Sequence, residues 1–100
     1  MKYNSFNERC YFILKQVPKG KVTTYKAIAL ALETKAYRAV GNAMNKNPYA
    51  PSVPCHRVIK SNGEVGGFAN GTKKKVEMLT KEGIVIENNS INLELYEYKF

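Results

Sequence analysis

The sequence predicts a single, mostly α-helical domain with small β elements: a winged-helix-like arrangement that contains a helix-turn-helix and ends in a β-hairpin. Three observations predict this fold class. The chain has 100 residues, which is enough for one modest core. Apolar residues recur at helical spacing in several segments, and turn-forming residues separate these segments. Alternating apolar and polar residues gather near the C-terminus, as in a hairpin.

The first helix is predicted to begin at Ser5, because Ser5 and Glu8 have the spacing of a capping box. Pro18-Lys19-Gly20 ends this helix. Its apolar stripe consists of Phe6, Cys10, Ile13, Leu14 and Val17. A cysteine on such a stripe is interpreted as an inert core thiol.

Two short helices follow, about Tyr25 to Leu32 and about Ala36 to Asn45, and the turn Glu33-Thr34-Lys35 joins them. Two helices with a tight turn predict a helix-turn-helix. Either Thr23 or Thr24 can cap the helix that begins near Tyr25. The residues predicted to face the core are Ile28, Ala31 and Leu32 in the first helix and Tyr37, Val40 and Met44 in the second.

The second of these helices carries another face at positions i, i+3, i+4 and i+7, formed by Arg38, Gly41, Asn42 and Asn45. One long cation, small amides and a glycine let a partner approach closely, as a DNA-reading helix requires. An ordinary solvated face with a tolerated glycine is the alternative. Because glycine in a helix interior costs about 1 kcal/mol relative to alanine, Gly41 argues against that alternative.

Loops and one extended run fill the middle of the chain. Asn47-Pro48-Tyr49-Ala50-Pro51 is predicted to be a rigid loop, and an extended run that contains Cys55 leads to Ile59. A turn follows at Ser61-Asn62-Gly63. The glycine-rich loop Gly66-Gly67-Phe68-Ala69-Asn70-Gly71 lacks the spacing of a phosphate-binding loop.

The last predicted helix covers Thr72 to Lys81, with Val76 and Leu79 facing inward and Gly83 as its stop. The terminal β-hairpin is predicted from the strand Ile84-Val85-Ile86, the turn Glu87-Asn88-Asn89-Ser90 and the strand Ile91 to Phe100.

Sixteen Lys and Arg against eight Asp and Glu give the chain a net charge of +8. This excess favours a polyanionic partner, nucleic acid first and an anionic membrane second, while a charge that serves solubility is the alternative. No apolar run approaches membrane-spanning length, and the N-terminus does not resemble a secretory signal. We therefore expect an intracellular, cytoplasmic protein whose thiols stay reduced.

The segment Val53-Pro54-Cys55-His56-Arg57-Val58-Ile59 sets a thiol beside the only histidine of the chain. A cysteine reacts as its thiolate, so a neighbouring base indicates chemistry. Neighbours on a regular strand point to opposite faces, but Pro54 favours an irregular backbone here. A buried cysteine beside a surface histidine is the alternative. Two cysteines and one histidine do not form a structural zinc pattern, so the sequence implies no metal.

Six blocks of residues occur in this order: Val22-Thr23-Thr24-Tyr25, Arg38-Ala39-Val40-Gly41, Asn47-Pro48, Pro54-Cys55-His56-Arg57-Val58, Gly66-Gly67-Phe68 and Glu82-Gly83. Together they resemble the O6-alkylguanine-DNA alkyltransferases, the methylated-DNA–protein-cysteine methyltransferases. The resemblance covers about residues 6–83. It identifies residues 1–100 as a single DNA-binding and catalytic domain of that family, with 84–100 as an unassigned tail.

The resemblance implies DNA repair by direct transfer of an alkyl group to the protein. Cys55 would be the nucleophile, His56 would act as a base through a bound water, and Glu82 would orient the imidazole. Tyr25 would donate to a ring nitrogen of the leaving guanine, and Asn47 would hold the loop that bears the thiol. From the residues alone, Tyr25 could be a packing tyrosine and Glu82 a helix-end carboxylate. The thioether product is stable, so each molecule would act once, without a cofactor.

The partner implied by the resemblance is double-stranded DNA that bears O6-alkylguanine, bound by a monomer. The target nucleotide would be flipped out of the duplex, and Arg38 would fill the vacated stack. The recognition helix would enter the minor groove, where base readout is degenerate. Residues implied to contact DNA are Arg38, Ala39, Gly41, Asn42 and Asn45. The base pocket would be lined by backbone around Val58, Phe68, Ala69 and Asn70.

The sequence departs from the family pattern in several places. Family members usually carry a separate N-terminal domain, which we expect to be absent here. Phe68 leaves the glycine loop without a tyrosine hydroxyl. Residues 84–100 resemble nothing assigned, and their apolar side chains could cover core that the missing domain would leave exposed.

Three other functions compete with alkyl transfer. Alkyltransferase-like sensors bind alkylated DNA without chemistry and share Arg38, but they replace the cysteine that is present here as Cys55. A small helix-turn-helix DNA-binding protein would not need the Pro54-Cys55-His56 segment. A cysteine hydrolase would need an oxyanion hole, which the sequence does not locate.

Overall fold

The computed structural model describes residues 5–100, which form helices around a two-stranded sheet. The helices are α1 (Phe6–Leu14), α2 (Tyr25–Ala31), α3 (Tyr37–Asn45), α4 (Thr72–Lys81) and α5 (Leu93–Tyr96). The strands β1 (Thr23–Thr24) and β2 (Val58–Ile59) pair in parallel, with Thr23 opposite Val58. The predicted fold class, mostly α with small β elements, is confirmed.

Side-chain caps fix where three helices begin. The hydroxyl of Ser5 accepts from the backbone N–H of Glu8 at 3.1 Å, which confirms the predicted start of α1. Of the two candidates at the start of α2, Thr24 is the cap, and its Oγ1 accepts from Ala27 N–H at 3.0 Å. Asn92 caps α5 in the same way. Helix α1 ends at Leu14, a few residues before the predicted Pro18-Lys19-Gly20 stop.

Helices α2 and α3 pack against each other as the predicted helix-turn-helix. Ile28 is buried and Leu32 half-buried, but the prediction for Ala31 was wrong, because Ala29 is buried and Ala31 is exposed. Tyr37 was also expected to face the core and is 41% exposed, since it is the first residue of α3.

The core consists of two clusters of buried side chains. The first cluster lies between α1, α2, α3 and the segment that carries Cys55, and it includes Cys10, Leu14, Ile28, Val40, Met44 and Val58. The second cluster consists of Val22, Ile59, Val65, Leu79, Ile84 and Ile91. Strand β2 contributes Val58 to the first cluster and Ile59 to the second, so it joins the helix-turn-helix to α4 and the C-terminal residues.

The run from Cys55 to Ile59 was predicted to be extended, and that prediction was wrong for its first part. Cys55–Arg57 forms a 3₁₀ turn, here called the thiol turn, and only Val58–Ile59 is a strand. The carbonyl of Pro54 accepts from Arg57 N–H at 2.9 Å, and the Cys55 carbonyl accepts from Val58 N–H. These i to i+3 bonds bend the backbone where Pro54 has no N–H to give to a sheet.

The predicted C-terminal β-hairpin was also wrong, although its turn forms. Glu87 and Ser90 exchange two backbone hydrogen bonds across Asn88 and Asn89, both at positive φ. No second strand follows within residues 91–100, because the chain turns away at once: Ile91 N–H donates to the Gly63 carbonyl at 2.8 Å, and the next residue caps α5. Local capping therefore outweighs the alternating pattern.

The residues after α5 are tied to the start of the sheet. Val22 N–H donates to the Tyr96 carbonyl at 2.8 Å, and Tyr98 N–H donates to the Val22 carbonyl at 2.7 Å. Ile91 is only 4% exposed in the second cluster, while Leu95 is 62% exposed. Tyr98 packs against the first cluster. Ile91 and Tyr98 thus cover core side chains, whereas Leu95 lies on the surface.

We expect Ile91→Ala to lower the free energy of unfolding by about 2–5 kcal/mol, because it leaves a cavity in the second cluster. Leu95→Ala, at an exposed position of the same segment, is the matched control and should change it by less than about 0.5 kcal/mol. Chemical denaturation of both variants measures the difference. Equal stability of the two variants would contradict a core role for the C-terminal residues.

Candidate active site

The thiol turn places Cys55 and His56 side by side in the interior. Cys55 belongs to the first core cluster and is 8% exposed, while His56 is 2% exposed. A 3₁₀ turn has three residues per turn, so neighbours no longer point to opposite faces as in a strand. The alternative interpretation of the sequence, a buried cysteine beside a surface histidine, is wrong because His56 is buried too.

Glu82 holds the imidazole of His56. Nε2 of His56 lies 2.8 Å from Oε2 of Glu82, and because an ionised carboxylate only accepts, Nε2 is the donor. The other ring nitrogen, Nδ1, then carries the lone pair. Glu82 is the C-cap residue of α4, where the helix dipole disfavours a negative charge. The hydrogen bonds that the Glu82 carboxylate receives offset this unfavourable interaction with the helix dipole.

Arg57 is the second partner of Glu82, and the sequence reasoning gave it no role. Its Nε donates to Oε1 at 2.9 Å and its Nη2 to Oε2 at 2.8 Å, a bidentate pair. Its Nη1 donates to the carbonyl of Val17 at 2.9 Å, beyond the end of α1. One guanidinium therefore connects α1, the thiol turn and α4. The sequence signal for Arg57 was its position next to His56 in the block Pro54-Cys55-His56-Arg57-Val58.

The electrostatics of this network favour a neutral imidazole and an ionised carboxylate. Burial lowers the pKa of His56 below 6.5, and the positive charges of Arg57 and Lys75 act in the same direction, against the raising effect of Glu82. Burial tends to raise the pKa of Glu82, but the hydrogen bonds from Arg57 and His56 outweigh it and lower that pKa. At neutral pH His56 can therefore accept a proton.

Asn47 closes the loop that leads to the thiol turn. Its Nδ2 donates to the Val53 carbonyl at 2.7 Å, and its Oδ1 accepts from Tyr49 N–H at 2.9 Å. Val53 N–H also donates to the Tyr49 carbonyl at 3.1 Å. These bonds fix the backbone two residues before Cys55, which is where the sequence expected Asn47 to act.

Tyr25 lies half-buried at the first position of α2, against the first core cluster. Burial raises the pKa of the Tyr25 hydroxyl, and the electrostatic interaction with Cys55 raises it further, so the hydroxyl stays protonated and can donate. The Nζ of Lys75 lies 5.9 Å from the centre of the Tyr25 ring. Tyr25 thus packs against the core cluster that contains Cys55.

Lys75 is a buried cation that sequence reasoning missed. Its side chain is 0% exposed, and its Nζ donates to the carbonyls of Val58, Val65 and Gly67 at 2.6, 2.7 and 3.0 Å. In the sequence it is the last of three consecutive lysines, and only Val76 and Leu79 were predicted to face inward on this helix. The available signal was helical register, because Lys75 lies four residues before Leu79 and so shares its inward face.

The residues expected to line a base pocket lie in different settings. Val58 is buried, and its carbonyl accepts from Lys75. Phe68 is half-buried against the first cluster, whereas Ala69 and Asn70 are exposed. The structure brings Val58 and the start of the glycine loop together through Lys75. It leaves Ala69 and Asn70 on the surface.

The expected DNA-contacting residues share the outer face of α3. Arg38, Asn42 and Asn45 are exposed, and Ala39 and Gly41 are half-buried. A Cβ built on Gly41 would meet no atom within 4 Å, so the packing of this chain does not require glycine there. The glycine thus leaves open space beside this face of α3.

The second cysteine is separate from this site. Cys10 is fully buried on α1, and burial raises its pKa to about 11, against a lowering effect of Arg9. It is therefore a protonated core thiol. Within residues 5–100, no group of three or more His, Cys, Asp or Glu side chains could hold a metal ion. None of the described helices has both the length and the apolar character to cross a bilayer.

Comparison with known proteins gives the same family as the sequence blocks. Residues 5–84 match the model of the 6-O-methylguanine DNA methyltransferase, DNA binding domain. The chain is 46% identical over 88 residues to the methylated-DNA–protein-cysteine methyltransferase of Metallosphaera sedula, and this match covers 88% of the chain and 55% of the relative.

Two solved structures are similar over most or all of the chain. S. pombe Atl1, in complex with damaged DNA containing O6-carboxymethylguanine, has a TM-score of 0.86 and 30% identity and is covered in full by this chain. Mycobacterium tuberculosis OGT in complex with DNA has a TM-score of 0.76 and 36% identity, over 81% of this chain and 51% of OGT.

The chain therefore belongs to the 6-O-methylguanine DNA methyltransferase DNA-binding domain family. It spans about half the length of the curated methylated-DNA–protein-cysteine methyltransferases that it matches.

His56 should titrate with a midpoint below 6.5, because burial disfavours its charged form. Since the chain has one histidine, proton NMR of the imidazole identifies it directly. Glu82→Gln should lower the midpoint further, because it removes the carboxylate that stabilises the imidazolium. A higher midpoint in the variant would contradict the network.

The lowered pKa of His56 also makes the free energy of unfolding depend on pH. Unfolded His56 takes up its proton near pH 6.5 and folded His56 at a lower pH, so the unfolded state binds more protons in between. The free energy of unfolding should therefore fall as the pH drops below 6.5.

Proposed function

We propose that this chain repairs DNA by transferring the alkyl group of O6-alkylguanine to Cys55, once per molecule. The observation that carries this proposal is the hydrogen-bonded network of His56, Arg57 and Glu82 beside a buried thiol, in a chain that belongs to the methyltransferase family. Such a network supplies the base and the orienting carboxylate that an activated thiol needs.

The transfer step balances without a cofactor. The Cys55 proton passes through a water to Nδ1 of His56, and the thiolate sulfur attacks the alkyl carbon. The carbon–O6 bond breaks, and its electron pair stays on the guanine. Tyr25 donates to a ring nitrogen as negative charge develops there. The guanine finally takes up a proton, so a thiol and an O6-alkylguanine become a thioether and guanine.

The orientation of His56 supports its role as the base. Glu82 occupies Nε2, which leaves the lone pair on Nδ1, and the lowered pKa keeps the ring neutral at pH 7. When the imidazole becomes charged, the Glu82 carboxylate stabilises it, as the aspartate of a Ser-His-Asp triad does. Asn47 keeps the preceding loop closed around this site.

Double-stranded DNA is the proposed partner, and the outer face of α3 is its proposed contact surface. Arg38 is exposed and can reach into a base stack from which the target nucleotide has been flipped. The charge of +8 supplies phosphate contacts, so that affinity should fall steeply with salt. A reduced thiol is needed for the reaction, which favours an intracellular location.

Lesion recognition without chemistry is the competing function, because Atl1 is similar over the whole chain. A purely binding protein would have no use for Cys55 beside a neutral His56 that is held by a carboxylate. A small helix-turn-helix regulator would likewise not need this network. Only alkyl transfer adds mass to the protein, so a mass measurement distinguishes it from the other two functions.

Incubation with a duplex that contains O6-methylguanine should add one methyl group to the protein, measured as an intact mass. Peptide mapping should place the group on Cys55. Cys55→Ala should gain no mass, because the nucleophile is gone, whereas Cys10→Ala should still be methylated, because that thiol is a core side chain. Tight lesion binding without a mass gain would assign the chain to the lesion-binding class.

Gly41→Ala separates DNA contact from folding. Because nothing lies within 4 Å of the added Cβ, alanine should raise the free energy of unfolding by up to about 1 kcal/mol. It should nevertheless weaken binding to duplex DNA, because the methyl group meets the partner. Denaturation and a DNA titration measure the two effects, with Arg38→Ala as a second variant that loses affinity. Unchanged affinity of Gly41→Ala would exclude close approach at this face.

A further inference from the structure

The side chain of Tyr37 differs from the other tyrosines that the structure describes, because it has no specific partner. It is 41% exposed at the first position of α3. No hydrogen bond, ion pair or ring contact joins its side chain to another residue within 5–100. Such a contact exists for each of the other described tyrosines, namely Tyr11, Tyr25, Tyr49, Tyr96 and Tyr98. Solitary exposed apolar side chains are common on protein surfaces, so the position of Tyr37 has to decide its role.

The position of Tyr37 is at the edge of the DNA-contact surface proposed for α3. Residues three and four apart on a helix are neighbours, and Gly41 lies four residues after Tyr37 and three after Arg38. A Cβ built on Gly41 would meet no atom within 4 Å, so open space lies beside both side chains. A duplex that approaches α3 closely at Gly41 therefore meets Tyr37 and Arg38 together.

The charges around Tyr37 favour a nucleic acid over an apolar partner. Helix α3 contains no acidic residue, and Glu33, the nearest one in sequence, lies in the turn before it. Exposed cations lie within and on both sides of the helix, at Lys35, Arg38 and Lys46. Surfaces that bind nucleic acid combine cations, which meet phosphates, with aromatic rings, which meet the faces of bases. The surroundings of Tyr37 have both components.

We propose that the ring of Tyr37 packs against the base stack beside the position that a flipped nucleotide leaves, while Arg38 fills that position. This inference rests on the proposed function and deepens it by adding a DNA-binding residue. Flipping takes a stacking neighbour away from the adjacent bases, and this loss disfavours the extruded state. An aromatic ring offers a flat apolar face in its place, as the apolar wedges of minor-groove proteins do. Tyr37 thus favours the extruded nucleotide that Cys55 needs.

The affinity for a duplex that contains O6-methylguanine tests this contact, measured in Cys55→Ala so that no methyl group is transferred. Adding Tyr37→Ala should weaken binding about tenfold, within the range for the loss of one base–aromatic contact. The slope of log affinity against log salt concentration should stay the same, because Tyr37 neutralises no phosphate. Tyr37→Phe keeps the ring and should bind within about twofold of its parent. Phe100→Ala removes an aromatic side chain of similar exposure from the C-terminal residues and should bind like its parent.

Tryptophan fluorescence reports the contact directly, because the chain contains no tryptophan. The emission of Tyr37→Trp should be quenched when the duplex binds, since the indole ring then stacks on a base. Phe100→Trp is the matched control and should keep its emission. This measurement keeps the test decisive if Tyr37→Ala does not fold.

Three results would each overturn the inference: unchanged affinity of folded Tyr37→Ala, a loss in Tyr37→Phe as large as in Tyr37→Ala, or unquenched emission of DNA-bound Tyr37→Trp. A wild-type protein that binds the methylated duplex but gains no methyl group would overturn the proposed alkyl transfer and leave these readouts intact.

Discussion

The carboxylate of Glu82 is the interaction on which the rest of the site depends. It receives one hydrogen bond from His56 and two from Arg57, and Arg57 in turn reaches the end of α1 through Val17. The side chain is 11% exposed, so this charge is stable only because its partners are present. Removing it would leave Arg57 partly buried and unpaired and would free the imidazole to rotate.

Two cations of different kinds therefore lie beside the thiol turn, Arg57 partly buried and Lys75 fully buried. Arg57 is paired with a carboxylate and fixes the turn to two helices. Lys75 has only carbonyl partners and holds β2 against the glycine loop. The first arrangement orients the base, and the second fixes the backbone between β2 and the glycine loop.

Local signals in the sequence predicted what depends on a few neighbouring residues. Ser5 and Thr24 cap helices because the hydroxyl oxygen and the backbone N–H that donates to it lie three residues apart, whatever the rest of the chain does. The thiol turn, the absent second strand of the hairpin and the burial of Lys75 were not predicted. The last two depend on hydrogen bonds between residues that are distant in sequence, such as Ile91 with Gly63 and Lys75 with Val58. The thiol turn is local, and its i to i+3 bonds form where Pro54 has no N–H to give to a sheet. The family blocks identified Glu82 as the partner of His56, but not Arg57 as the group that holds both.

The central claim is that the Glu82 network controls the rate of a single alkyl transfer to Cys55. It is tested most directly by following methyl groups transferred per protein against time, with methylated duplex in excess, for the wild type and Glu82→Gln. The account predicts that both curves level off at one methyl group per molecule and that the variant approaches this level about 100-fold more slowly, within the range for loss of acid–base catalysis. Equal rates for the two proteins, or a wild-type curve that passes one methyl group per molecule, would contradict it.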